Sequence, residues 1–202
     1  MILSVTDQKS CRKNYLERIE KIAKVHPWGI ILREKEMSPE RYRCLARQVH
    51  KICQKQHTPL LVNSFWEIAR EEGIPGIHLS FRDFREHKKE LEDFSTKGVS
   101  VHSVSEGIEA EAIGADYLIA GHIFATDCKK GLPPRGIGFL RELCQAVSIP
   151  VFAIGGITPQ TAGQLREAGA YGGAVMSGLM NCADVDEYIK QLRTSFEGGK
   201  MR

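Results

Sequence analysis

The chain reads as a single (β/α)8 barrel, and three observations carry that reading: eight short apolar runs rich in β-branched residues, helical spacing in the stretches between them, and Gly or Pro at most returns to the next run. The runs are ILSV at 2–5, GIILR at 29–33, PLLVN at 59–63, GIHLS at 76–80, GVSVHS at 98–103, DYLIAG at 116–121, PVFAIGG at 150–156 and GGAVMSG at 172–178. PERYRCLARQVHKICQKQ at 39–56 shows the helical spacing most plainly. Near-continuous apolar strands alternating with helices imply a parallel sheet buried on both faces, because each right-handed crossover lays a helix over it. Periodicity alone admits an open doubly wound sheet, and the count of eight favours the closed barrel. With no linker or low-complexity segment in view, residues 1–202 read as one domain.

Composition narrows the function classes. A hydrophobic content of 42% with 26% charged residues argues against disorder, and a net charge of +3 is too balanced to imply a nucleic-acid partner. The six cysteines (Cys11, Cys44, Cys53, Cys128, Cys144, Cys182) form no CxxC pair and have no closely spaced His partners, so no zinc site is expected and a reducing setting fits. No apolar run approaches the roughly 20 residues of a membrane span, and the opening MILSVTDQKSCRKN turns polar too early for a signal peptide. A soluble cytoplasmic protein with no membrane partner is the expectation. The exposed faces of helices such as 39–56 leave room for a homo-oligomer.

In such a barrel the active site lies at the carboxyl ends of the strands. That rule selects Arg33 to Lys35, Asn63 with Ser64, His102, His122, Gly155 with Gly156, and Ser177 with Gly178. AIGGITPQ and AVMSGLM put small residues where strands 7 and 8 hand over to helices, so Gly155, Gly156, Ser177 and Gly178 read as a phosphate cradle, with plain tight turns as the alternative. After strand 6, GHIFATDCKKGLPPRG is long for a connection and reads as a substrate-covering segment, on which Thr126 and Lys130 could hold a phosphate or carboxylate, with solvated surface residues, Lys129 as much as Lys130, as the alternative. His122, at the start of that segment, is the candidate acid/base, or else a structural histidine. His78 and His102, placed within strands, read as packing residues; His26, His50, His57 and His87 read as surface positions.

LREK at 32–35, GADYLIAG at 114–121, IFAT at 123–126, IPVFAIGGIT at 149–158 and GAYGGAVMSG at 169–178 resemble the thiamine phosphate synthase superfamily, over nearly the whole chain and most specifically from Gly114 to Gly178. Synthases of that superfamily join a pyrimidine diphosphate to a thiazole phosphate, with Mg2+ held by two aspartates at the departing diphosphate. Here the asparagine-aspartate pair after strand 3 is Asn63-Ser64, the glycine-glutamine pair after strand 4 is Ser80-Phe81, and Asp83 is the one matching aspartate; Ile31 replaces a glutamine before Arg33. Gly121-His122 and the run GHIFATDCKKG are similar to the TenI branch of thiazole tautomerases. That resemblance implies a metal-free, cofactor-independent isomerase acting on a small phosphorylated thiazole, with His122 moving the proton, Arg33 and Lys35 stabilising the carboxylate, and Asn63 orienting the ring. Glu34 should point away from its two cationic neighbours. The expectation is therefore a thiazole tautomerase, with a Mg2+-dependent thiamine phosphate synthase and a non-catalytic phosphate-binding protein as alternatives.

Overall fold

Every apolar run becomes a strand of a closed parallel barrel in the computed structural model, which describes residues 1–12, 14–129 and 131–198. The strands are β1 (Ile2–Val5), β2 (Gly29–Leu32), β3 (Leu60–Asn63), β4 (Gly76–Ser80), β5 (Thr96–Val101), β6 (Tyr117–Gly121), β7 (Val151–Ile154) and β8 (Gly172–Val175). They pair in chain order, and β8 closes on β1 with Ile2 opposite Gly173 and Leu3 opposite Ala174. Closure excludes the open sheet. β2 stops at Leu32, so Arg33 to Lys35 follow the strand; β5 falls short of the sequence reading, stopping at Val101 and leaving His102 beyond it.

The outer layer consists of α1 (Tyr15–Lys24), α2 (Pro39–Lys55), α3 (Trp66–Glu71), α4 (Phe81–Glu86), α5 (Val104–Ala112), α6 (Gly136–Ala146), α7 (Ala162–Glu167), α8 (Ser177–Asn181) and α9 (Val185–Gly198). Local chemistry sets their starts. The Asn14 side chain accepts from the N–H groups of Leu16 and Glu17 to cap α1, the Ser103 hydroxyl accepts from Glu106 to cap α5, and Pro39 opens α2 where no N–H is needed. Along α2, Tyr42, Ala46, Val49 and Cys53 recur every three or four residues and are buried as one stripe. Among the described residues no helix is long and apolar enough to cross a membrane.

Alternate strand residues fill two separate cores. One lies between sheet and helices; the other fills the barrel interior with Leu3, Val5, Ile31, Leu61, Tyr117, Ile119, Phe152 and Ala174. The lower interior is aromatic, with the Trp28 ring centroid 4.9 Å from those of both Tyr117 and Phe152. Gly98 makes room for this packing, since a Cβ there would lie 2.0 Å from Tyr117 Cζ. His78 is buried inside this layer, as its strand position predicts: Nδ1 lies 3.0 Å from the Tyr117 hydroxyl and Nε2 lies 2.7 Å from Ser100 Oγ. Both ring nitrogens are thereby paired, which a buried imidazole requires.

Burial pushes the His78 pKa down to about 3, so the folded protein holds the ring neutral. In the unfolded chain an imidazole titrates near 6.5. The unfolded state therefore takes up a proton that the folded state refuses, and stability present above pH 6.5 is lost as the pH falls towards 3. Denaturant unfolding at pH 7.5 and pH 5 is expected to give a lower midpoint at pH 5, and His78→Gln is expected to shrink that difference. An unchanged pH dependence in the variant would show that other groups cause it.

Candidate active site

Strand alternation builds the mouth of the barrel. Gly98 and Ser100 face the interior on β5, as their contacts with Tyr117 and His78 show, and His102 is next on the same face. The exposed His102 ring approaches the Gly121 carbonyl through Nδ1 at 2.9 Å, so Nδ1 carries the proton that donates to it. His102 is therefore a residue of the mouth, and its reading as a packing histidine is corrected: β5 ends one residue earlier, outside the packed interior. Asn63 ends β3 and donates through its side-chain amide to the His78 carbonyl at 2.8 Å.

Residues after β6 form a loop whose two ends are tied together. Arg135 N–H donates to the His122 carbonyl at 2.9 Å, and Gly136 N–H donates to that of Ile123 at 3.1 Å. The His122 ring is half-buried and its Nε2 lies 3.3 Å from the Leu132 carbonyl, across the base of the same loop. Thr126 accepts through its carbonyl from Lys129 N–H in a single 3-10 turn, Asp127–Lys129. Lys130 lies outside the described residues.

The glycine pair after β7 meets this loop directly. Gly155 has φ +97°, and a Cβ on it would sit 2.4 Å from the His122 Cβ. Phe124 N–H donates to the Gly155 carbonyl at 3.1 Å. Glycine is thus demanded here by the approach of the β6 loop as well as by backbone conformation. Gly156 follows, and the Thr161 hydroxyl donates to its carbonyl at 3.0 Å. Because β7 and β8 are paired, Ser177 and Gly178, the first turn of α8, stand beside Gly155 and Gly156. First-turn amides of a helix have no acceptor within it, so this edge suits an anion.

Two strands along the barrel from β8, after β2, Arg33 is half-buried and its Nη1 lies 3.8 Å from Met176 Sδ, just before Ser177. Partial burial, followed by the positive charges of Arg33 and Lys129, holds the Lys35 pKa below the ordinary lysine value. Lys35 thus lies within electrostatic reach of two further cations above the barrel, a concentration of positive charge that favours an anion.

Residues 2–179 match the family described as thiamine monophosphate synthase. The chain belongs to that family. It is 33% identical over 197 residues to the thiamine-phosphate synthase of Syntrophomonas wolfei, covering 96% of this chain and 94% of the relative. It is 35% identical over 170 residues to the thiamine-phosphate synthase of Pyrococcus abyssi, covering 84% and 82%. The thiamine phosphate pyrophosphorylase structure from Pyrococcus furiosus superposes with a TM-score of 0.83 at 27% identity, covering 97% and 95%. A structure of 3-hexulose-6-phosphate synthase shares the fold, with a TM-score of 0.69 at 16% identity.

These relatives are enzymes of thiamine biosynthesis, and they correct the sequence-based expectation of a thiazole tautomerase: relatives covering nearly the whole chain are named synthases, and an isomerase finds no support among them. That expectation rests on Gly121-His122 together with the broken metal site, and the His122 Nε2 is directed at a carbonyl of its own loop.

The synthase family implies Mg2+, and the side chains of this member do not compose the two-carboxylate site that the resemblance describes. Ser64 has no carboxylate. Asp83 accepts from the Ser80 hydroxyl at 2.7 Å, and its own N–H donates back to Ser80 Oγ, so the pair caps the start of α4. Among the described residues no group of three or more His, Cys, Asp or Glu side chains could hold a metal. Ile31, in place of the glutamine, is buried in the apolar barrel interior.

The tight approach of Gly155 to His122 makes a direct prediction. Gly155→Ala is expected to destabilise the protein by about 1–3 kcal/mol, since it combines a left-handed backbone with a clash. Denaturant unfolding measures this, and an effect below a few tenths of a kcal/mol would mean that the loop yields freely.

Proposed function

We propose that this chain catalyses the reaction in its relatives' name, joining a pyrimidine carried on a diphosphate to a thiazole phosphate with release of diphosphate. One observation supports the reading: two edges suited to anions share one mouth, the glycine and helix-start edge of β7 and β8 and, two strands along, the cationic residues Arg33 and Lys35 with Lys129 in electrostatic reach. A reaction between two phosphorylated substrates needs two such edges.

In this reading Gly155, Gly156, Ser177 and Gly178 hold the thiazole phosphate, and Asn63 orients its ring. Arg33 and Lys35 hold the diphosphate, with Lys129 closing over it. As the ring nitrogen of the thiazole bonds to the pyrimidine-bearing carbon, the carbon–oxygen bond to diphosphate breaks and its electron pair leaves with the diphosphate. The cations stabilise that growing charge in a site shielded from water. Thr126 and His122, on the β6 loop, cover the reacting groups. No step is assigned to a metal ion, because one of its two carboxylates is replaced by Ser64 and the other, Asp83, pairs with Ser80.

Supplying both substrates is expected to release diphosphate, and Arg33→Ala is expected to lower kcat/KM at least a hundredfold. No diphosphate release by the wild-type protein would sink the proposal. Ser64 and Ile31 favour one other reading, a protein that binds phosphorylated ligands without coupling them; calorimetric binding of thiazole phosphate with no turnover would establish it. Ser64 has φ +67°, a conformation that aspartate tolerates better than most residues, so Ser64→Asp restores a second carboxylate at little structural cost. Diphosphate release by that variant is expected to rise with Mg2+ more steeply than in the wild type.

A further inference from the structure

The cationic rim stands on a buried carboxylate. Glu34 lies between Arg33 and Lys35 in the chain but turns away from the mouth, as strand alternation predicts, and is only 8% exposed. Its Oε1 accepts from the Thr6 hydroxyl at 3.0 Å and the Tyr15 hydroxyl at 2.7 Å, while the Gln8 N–H donates to Oε2 at 3.0 Å and Oε1 at 3.1 Å. Thr6 Oγ1 in turn accepts from the Arg33 N–H at 2.9 Å. Burial and the Glu34 charge push the Tyr15 pKa up, keeping its hydroxyl a donor. A buried carboxylate is tolerated when donors surround it in this way.

The network continues to the phosphate cradle. Helix α1 begins with Tyr15 and also carries Arg18, which is 3% exposed and donates through Nη2 to the Cys182 carbonyl at 2.8 Å. Cys182 caps the carboxyl end of α8, and the residue before α8 is Met176, whose sulfur touches Arg33. The contacts make a closed circuit: Arg33 to Thr6 to Glu34, Glu34 to Tyr15 and α1, α1 through Arg18 to α8, and α8 back to Arg33.

We propose that Glu34 is a positioning residue that fixes the cationic rim relative to the α8 cradle, so that Arg33 and the cradle engage phosphoryl groups together. It touches no ligand and acts through Thr6, Gln8 and Tyr15. The inference builds on the phosphate-binding part of the function proposed above. Glu34→Gln keeps the shape but removes the negative charge and replaces one acceptor oxygen with an NH2 group, which would confront the Gln8 N–H if it took the Oε2 position.

The test is calorimetric titration of inorganic diphosphate into the wild type, Glu34→Gln, Arg33→Ala and the double variant. Glu34→Gln is expected to weaken binding about tenfold or more, and the double variant is expected to bind within about twofold of Arg33→Ala, because Glu34, through Thr6, holds the Arg33 backbone that carries the guanidinium. Wild-type affinity in a folded Glu34→Gln protein, or fully additive losses in the double variant, would overturn the proposal, as would an absence of diphosphate binding by the wild type. If Glu34→Gln does not fold, Thr6→Val and Tyr15→Phe each remove one donor and should weaken binding about threefold to tenfold; wild-type affinity in both has the same overturning force. Because the assay needs no turnover, a chain that fails to couple substrates yet shows this pattern would reject the synthase reading and uphold the role of Glu34.

Discussion

Closure of β8 on β1 removes the last free edge of the sheet, and where that closure sends alternate side chains decides the rest of the molecule. On β2, Ile31 enters the barrel while Ile30 and Leu32 meet the helices. The same alternation continues one residue past the strand, turning Arg33 to the mouth and Glu34 behind it. A single register thus positions the apolar interior, the cation above it and the carboxylate that secures that cation. Slipping β2 by one residue would put Glu34 at the mouth and Arg33 among apolar side chains, a cost of several kcal/mol for each buried charge.

The interior is not wholly apolar, and its polar members are paired across strands. Tyr117 on β6, His78 on β4 and Ser100 on β5 form a column in which His78 is neutral and bonded at both nitrogens. Above it stand Asn63, bonded to the His78 carbonyl, and His102, bonded to the Gly121 carbonyl. Side chains whose rotamers are fixed from below in this way give a site its geometry before any ligand arrives, which lowers the cost of binding.

The strands were legible because a parallel strand buried on both faces must be apolar at nearly every residue, a demand few other segments meet. The small residues at the ends of β7 and β8 stood out in the sequence, and the structure gives Gly155 and Gly156 a packing reason as well, the approach of the β6 loop. Strand ends were less legible: GVSVHS continues its pattern past the last ladder hydrogen bond, which hid the exposure of His102. The spacing of Gly98, Ser100 and His102 held the signal that would have placed His102 at the mouth. Glu34 was read correctly for direction, but its partners Thr6, Gln8 and Tyr15 are distant in sequence and only the fold joins them. His122 shows the opposite error, in which one conspicuous residue was made to carry a reaction that nearly full-length relatives do not support.

Residues at strand ends can change without disturbing the barrel, because their backbone is fixed by neighbours and their side chains face solvent or ligand. Ser64 illustrates this. Its N–H donates to the His78 carbonyl at 3.2 Å and its φ of +67° is set by the turn, so the chain keeps the conformation whatever the side chain offers a ligand. Exchanging a carboxylate for a hydroxyl there leaves the fold intact while changing what charge the mouth presents. With Ser64 neutral and Asp83 committed to capping α4, the rim near the cradle is dominated by Arg33, Lys35 and Lys129. In the function proposed above, anion recognition depends on how firmly those cations are held, and the Arg33 backbone is held by Thr6, itself bonded to the buried Glu34.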